Sequence, residues 1–425
     1  MNAVRFPIAC LLALWLTSAA AQPVALEPGF AVSLQVSGIR QPTQITFAPD
    51  GRLFVALREG TILAYPYDTD GISGPPTTVA TQVGSLLLGI AFDASGELFA
   101  SSNLGPANTG FLARLRDLDH DGVFETQQRF VTNLPNLGHH NDQLAIDGQL
   151  LYVGMGSRSD DGQTDNVSPI PAATILRVDL AAVDFNSTAN LPQVYARGFR
   201  NPFGIAIDRL GRLWAADNGQ DQPIAQETLH LVTPGGHHGV PPNLAPPDAI
   251  APLAQLGLGT SADGLDLAGD VPTWGTEFAD NLFVVRFDFE LNDPAGVGMD
   301  VVRVQFANFA GPQRPTVTST TVFARGFYHP LDAEFDPFGN LLVLEYGSYF
   351  GPADGAIHRI ARGIAPCLGD INGDRAVTLA DLAILLTNFG QLSGATLAQG
   401  DLDADGDVDL IDLATLLRRF GEQCD

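Results

Sequence analysis

"NPFGIAIDRLGRLWAADNG", Asn201 to Gly219, reads as an apolar strand, a turn marked by Gly211 and a second apolar strand. The phrase recurs along the chain. It stands as "PTQITFAPDGRLFVALREGTILAY" from Pro42, "LLGIAFDASGELFASSN" from Leu87 and "NDQLAIDGQLLYVGMGS" from Asn141. Downstream it stands as "TEFADNLFVVRF" from Thr276 and "HPLDAEFDPFGNLLVLEYGS" from His329. Gly51, Gly96, Gly148 and Gly339 mark the turn in four of these copies, and the copy from Thr276 turns near Asp280-Asn281. Several copies close on a further strand, such as "TILRVDL", "ETLHLVTP" and "AIHRIAR". A repeat of several short strands is a propeller blade, because one such unit cannot bury its apolar faces without neighbours. Six copies therefore predict an all-β fold, a six-bladed β-propeller over residues 22–362.

The chain of 425 residues has a formal charge of −26 and no lysine. That balance excludes a nucleic-acid partner, whose phosphates need a basic surface, and an anionic membrane surface. Residues 1–21 have the pattern of a secretory signal: Arg5, an apolar run from Ile8 to Leu16, and Ala19-Ala20-Ala21 as the cleavage site. No later run is long and apolar enough to span a membrane. The expectation is an exported protein, secreted or at the cell surface, beginning at Gln22. Cys10 leaves with the signal, so Cys367 and Cys424 bracket the tail and are expected to bridge it.

Residues 363–425 carry two matched acidic loops. "GDINGDRAVTLADLAILLTNFG" from Gly369 aligns with "GDLDADGDVDLIDLATLLRRFG" from Gly400 at an offset of 31 residues. Asp370, Asn372, Asp374 and Asp381 fall on Asp401, Asp403, Asp405 and Asp412, at positions 1, 3, 5 and 12 of a calcium loop. Ala376 and Asp407 stand at position 7, where a carbonyl oxygen is the ligand. Helical spacing follows each loop, in Leu382, Leu385, Leu386 and Phe389, then in Leu413, Leu416, Leu417 and Phe420. Position 6 is Gly406 in the second loop but Arg375 in the first, so the first site is expected to be weaker. A third acidic stretch, Asp117, Asp119 and Asp121 in "DLDHDG", either binds calcium at a blade edge or turns a hairpin.

With one loop and one helix per repeat, and Asp at position 12, the tail resembles a type I dockerin. The resemblance implies a small α-helical domain that folds with calcium and docks on a cohesin-like or surface partner. Leu379, Ala380, Leu410 and Ile411 fall on that family's usual recognition positions.

The body resembles the soluble glucose/sorbosone dehydrogenase family across most of residues 40–362. The likeness is carried by "RNPFGIAID", "LGHHNDQLAIDGQLLYVGMGSRSDDG", "PDGRLFVALREGTI" and "LGIAFD". It implies a secreted six-bladed propeller that binds pyrroloquinoline quinone (PQQ) and calcium and oxidises sugars. His140 matches the family's catalytic histidine and Arg200 the arginine that stabilises charge on the quinone oxygen. Asn201 matches a cofactor contact, and Gly219 and Gln220 stand where main-chain oxygens meet calcium. The sequence also departs from the family. Asp142 and Gln143 replace a Gly-Gly pair, Arg286 is the nearest match for a cofactor lysine, and His329 and Leu331 replace two cofactor arginines. His139, His140, His237 and His238 are equally at home as loop residues bonded to backbone.

Three functions therefore compete. The first is a PQQ-dependent sugar or aldehyde dehydrogenase delivered by its docking tail. The second is a non-catalytic carbohydrate- or protein-binding propeller, favoured by the missing cofactor cations. The third is a metal-dependent lactonase, with Asn141, Asp142 and Asn218 as candidate ligands.

Overall fold

The turn that recurs in the sequence recurs in three dimensions. Ala48, Asp93, Asp208 and Asp336 donate their amides to the carbonyls of Arg52, Glu97, Arg212 and Asn340, at 2.7–3.1 Å. Gly51, Gly96, Gly211 and Gly339 complete these turns at φ of 74–88°, a left-handed conformation that a Cβ disfavours. The carboxylates of Asp93, Asp208 and Asp336 accept further amides of their own turns. Short polar side chains and glycine thus supply the hydrogen bonds that the strands cannot.

The computed structural model describes residues 23–162, 170–221, 224–269, 274–289, 298–311, 313–362, 369–372, 376–402 and 406–422. Residues 1–21, expected to be a secretory signal, and Cys367, Cys424, Asp374, Arg375, Asp403 and Asp405 lie outside them.

Six antiparallel sheets of four or five strands form the body. Their innermost strands are Pro42–Phe47, Leu86–Phe92, Asn141–Asp147, Asn201–Ile207, Ala262–Leu267 and Pro330–Phe335. Each packs on the next, and the last returns to the first, which closes a six-bladed ring. Between blades the faces are apolar: Phe54, Ile90 and Phe111 share one cluster, and Trp274, Phe283, Phe323 and Ile360 another. Near the axis the packing leaves no room for side chains at some positions. A Cβ on Gly154 would lie 2.0 Å from the Pro202 carbonyl oxygen, and one on Gly204 would lie 2.1 Å from that of Asp263.

Two features depart from the repeat read in the sequence. The fifth blade begins upstream of Thr276, at Ala262–Leu267, and the strand Leu282–Phe289 is its second. The sixth blade takes its outermost strand from the start of the body. Phe30–Ile39 pairs antiparallel with Gly355–Arg362, from Phe30 opposite Arg362 to Ile39 opposite Gly355.

The tail holds two helices, α1 (Leu379–Asn388) and α2 (Leu410–Arg419). Thr378 and Asp409 cap them, each in a capping box completed by Asp381 or Asp412. Val377, Leu385, Leu402, Val408 and Leu416 form the small core. Leu386, Phe389, Leu417 and Phe420, expected on the apolar face, are exposed, as are Leu379, Leu410 and Ile411. A module this short has one thin core, which covers only part of each helix. Among the described residues, no helix is long and apolar enough to cross a membrane.

Candidate active site

A cavity of about 510 Å³ opens where the innermost strands begin, at the mouth of the ring. His140, Arg200, Asn201 and Gly219 all line it, so the fold brings together residues that lie up to 79 positions apart in sequence.

His140 immediately precedes the inner strand of the third blade. Its carbonyl accepts the Gly156 amide at 2.8 Å, and the His139 amide donates to the Ser157 carbonyl at 2.9 Å, which clamps this segment to its own blade. Among the described residues, the His140 ring has one hydrogen-bonding neighbour, Asn103, with Nδ1 3.5 Å from Asn103 Nδ2. Burial, then the Arg58 charge, lower its pKa below the ordinary 6.5, so the ring is neutral at pH 7. His139 is pushed down further, to about 4, by burial and then by Arg200.

Arg200 and Asn201 are set by Asp217 on the adjacent strand. The buried Asp217 carboxylate accepts both of their amides, at 3.0 and 2.7 Å. Burial, opposed by those amides, raises Asp217 to about 7. The Arg200 guanidinium has most of its donors committed. Nε and Nη2 bond Asp160, Nη2 also reaches Asp221 at 2.9 Å, and Nη1 bonds the Asn218 carbonyl at 3.3 Å. One of its five N–H groups, on Nη1, remains for the cavity among the described residues. Asn201 Oδ1 is buried without a partner. It passes so close to Gly156 that a Cβ there would lie 2.4 Å away.

Other expected site residues lie elsewhere. Arg286 is buried in a bidentate pair with Asp300, at 2.7 and 2.6 Å, bonds the Leu256 carbonyl, and is absent from the cavity lining. Its fork finds a carboxylate on the neighbouring strand of its own blade before it can reach the axis. Gln220 faces a neighbouring cavity with His230 and His238, and its carbonyl accepts the Ala225 amide at 2.7 Å. Asn141 turns its amide to Ser101, Ser102 and Phe111 and does not line the mouth. His329 bonds the Gly347 carbonyl and stacks on Phe287, with ring centroids 4.8 Å apart.

Sequence reasoning missed two parts of the site. One is an aromatic wall in which Phe287, Tyr346 and Tyr349 stand 5.4–6.0 Å apart. Its signal was the aromatic-rich "EYGSYFG" loop. The other is the set of acids Asp221, Glu227, Asp263 and Asp288, which join Asp142 around the cavity. Burial pushes Glu227 up to about 7, and raises Asp142 and Asp263 well above the usual carboxylate range.

PQQ is a flat quinone bearing three carboxylates. The volume, the aromatic wall, His140 and the Arg200 N–H fit its quinone end. For the carboxylates, the lining offers Leu331 at a position where the family resemblance implies a cation, and it carries two arginines, Arg58 and Arg200, against five acids. The residues present fit the cofactor's charge only together with a metal ion.

The acidic loops are preorganised. Asp381 accepts the Ile371 and Asn372 amides at 2.7 and 2.9 Å and the Thr378 amide at 2.8 Å. These bonds outweigh burial and hold its carboxyl below the usual range. Asp412 accepts the Leu402 and Asp409 amides at 2.7 Å. In the second loop Asp407, Asp409 and Asp412 offer oxygens within 4.8 Å of one another, and Asp401 Oδ1 is buried without a partner. Asp409, at position 9, was not foreseen as a ligand because its capping role is the more visible one. On the propeller, Asp117, Asp119 and Asp121 converge likewise, joined by Glu125.

Residues 39–245 match the family described as Glucose / Sorbosone dehydrogenase, and residues 368–421 match the Dockerin type I domain. The chain is thus a six-bladed propeller that carries the glucose/sorbosone dehydrogenase family match over residues 39–245, followed by a C-terminal type I dockerin domain. Among solved structures, it is similar to the PQQ domain of pyranose dehydrogenase from Coprinopsis cinerea. That match has a TM-score of 0.64 and 18% identity, over 80% of this chain and 97% of that one. It is also similar to a Trichoderma reesei enzyme of Carbohydrate-Active Enzymes Family AA12, with a TM-score of 0.61 and 17% identity over 80% and 98%. PQQ-bound aldose sugar dehydrogenase from Streptomyces coelicolor matches with a TM-score of 0.56 and 19% identity over 80% and 99%. At these identities the likeness establishes the fold. No curated protein matches the chain.

Proposed function

We propose that this protein is an exported sugar dehydrogenase that works with PQQ and is held in place by a calcium-ordered docking tail. One observation carries the reading: His140, Arg200, Asn201 and Gly219, each matched to the family by local sequence, meet at one cavity on the propeller axis. A sugar ring packs against Tyr346 and Tyr349, whose faces suit its C–H surface. His140, kept neutral by burial, accepts the hydroxyl proton on a ring nitrogen. Arg200, fixed by Asp160 and Asn218, aims its remaining N–H at oxygen on which negative charge develops. When bound, PQQ supplies the two-electron acceptor. The test is titration of the signal-free protein with PQQ, in calcium and in chelator. Saturable, calcium-dependent binding lost in Arg200→Ala supports the reading, and folded protein that binds no quinone overturns it.

A second reading, a propeller that binds carbohydrate without turnover, is favoured by the diversion of Arg286 to Asp300 and by Leu331. It predicts sugar retention with no dye reduction. For the tail, the exposed Leu379, Leu410 and Ile411 offer an apolar contact to a cohesin-type partner. Export predicts a mature N-terminus at Gln22, which N-terminal sequencing reads directly.

A further inference from the structure

Where the cavity meets the axial channel, three consecutive blades contribute oxygen-bearing side chains. Asp142 comes from the third, Asn201 and Asn218 from the fourth, and Asp263 from the fifth. All four are more than nine-tenths buried, with exposures of 2, 7, 7 and 3%. Asn218 Nδ2 donates to Asp263 Oδ1 at 2.9 Å, which fixes which end of the amide is oxygen. That oxygen, Asn218 Oδ1, has no hydrogen-bond partner, and neither has Asp142 Oδ2. Asn201 Oδ1, lining the same cavity, is a third.

Unpartnered buried acceptors are expensive, and a buried carboxylate without a countercharge more so. The charged neighbour acting on Asp142 is Asp263, of the same sign. The charge of the Arg200 guanidinium is already matched by Asp160 and Asp221, and all but one of its N–H groups are committed to them and to the Asn218 carbonyl. What the cluster lacks is a positive centre that accepts oxygen lone pairs from several directions at once. Two carboxylates and neutral amide oxygens are the ligand chemistry of a hard divalent cation.

We propose that the throat of the propeller binds a divalent cation of the calcium class, held by Asp142, Asn218 and Asp263 with Asn201 beside them. The site is distinct from the dockerin loops, its ligands are side chains rather than the Gly219 main chain, and it stands whether or not the cavity oxidises sugars. The ion reverses the sign of the cavity floor. Otherwise acidic, that floor then attracts hydroxyl or carboxylate oxygens of whatever occupies the cavity. It also gives Asp142 a purpose at a position where a small residue would leave more space.

The test uses the full signal-free chain with both dockerin loops disabled by Asp381→Asn and Asp412→Asn. Calcium stoichiometry is measured by equilibrium dialysis, and melting is followed in calcium and in chelator. Asp142→Asn on that background is expected to bind one ion fewer. It should melt no lower than its parent in chelator, because burial already favours the neutral form of Asp142 there and Asn is a neutral near-isostere, yet lower than its parent in calcium. Asn218→Asp adds a charged ligand, so calcium affinity should rise roughly 10-fold or more while stability in chelator falls. Equal stoichiometry in parent and Asp142→Asn overturns the proposal. So does an Asp142→Asn melting loss of equal size in calcium and chelator, or protection by sodium equal to that by calcium at matched ionic strength.

Discussion

Arg200→Ala separates what holds the site together from what the site does. The partners of the guanidinium differ in what its removal costs them. The Asp221 side chain is 77% exposed and rehydrates when the guanidinium leaves, so that ion pair contributes little. The Asp160 ion pair, at 2.7 Å against an arginine side chain that is 4% exposed, counts for more. The Asn218 carbonyl is left without its donor. Asp217 keeps both backbone amides but loses the arginine's attraction, so its pKa rises further above about 7 and it protonates. Together these destabilise the fold by about 2–4 kcal/mol, below the full cost of stranding a buried charge because Asp217 can neutralise. In a domain of this size that lowers the melting temperature by roughly 3–6 °C. Removing a fixed donor at developing charge lowers kcat by about 10²–10³. Arg200→Lys keeps the charge but not the fork, and should recover part of the stability and little of the rate. Calorimetry beside dye-coupled turnover reads both. A melting shift below about 2 °C refutes the energetic reasoning, and unchanged turnover removes Arg200 from the chemistry.

Other expectations follow from single residues. His140→Gln should cut turnover by about 10²–10⁴. Because burial and Arg58 hold this imidazole below 6.5, wild-type activity should stay level above pH 6.5, fall as the ring protonates at lower pH, and lose that acid limb in the variant. Stability in chelator should fall as pH rises from about 6.5 to 8. Asp217, Glu227 and Asp332, raised to about 7, still hold protons there that the unfolded chain has released. His139 and His238, lowered to about 4, oppose this only below 6.5, where the unfolded chain binds the extra protons. A flat melting profile across pH 6.5–8 contradicts that balance. Gly154→Ala drives a Cβ into the Pro202 carbonyl and should cost about 1–3 kcal/mol or more, seen as lower yield and melting temperature. Ile411→Asp, at a position 56% exposed, should abolish capture by a cohesin-type partner while leaving melting unchanged.

The propeller was legible because its instructions are local. A turn glycine, with an aspartate three residues before it in three blades, reveals itself within five residues, and such glycines marked five of six blades. The fifth was misplaced because its inner strand, "ADGLDL", is short, acidic and set apart from its partner by a long connection. The pairing of Phe30–Ile39 with the last strand was invisible because nothing local in a strand names a partner more than 300 residues away. The site divides the same way. His140, Arg200 and Asn201 sit beside inner-strand starts, where sequence and position coincide. Arg286 and Gln220 had plausible neighbours in sequence but face other partners in space. The acids Asp263 and Glu227 carried no motif, and only the convergence of blades makes their burial evident.

The strand borrowed by the sixth blade also sets a timetable. Phe30–Ile39 is among the first segments of the body to be made, and its partner Gly355–Arg362 is the last. Until residue 362 has emerged, the nascent body carries an unpaired edge and an open ring, both vulnerable to proteases and to pairing with other chains. The dockerin domain follows immediately, so a chain that displays a finished dockerin is one whose ring-closing strand has already been made.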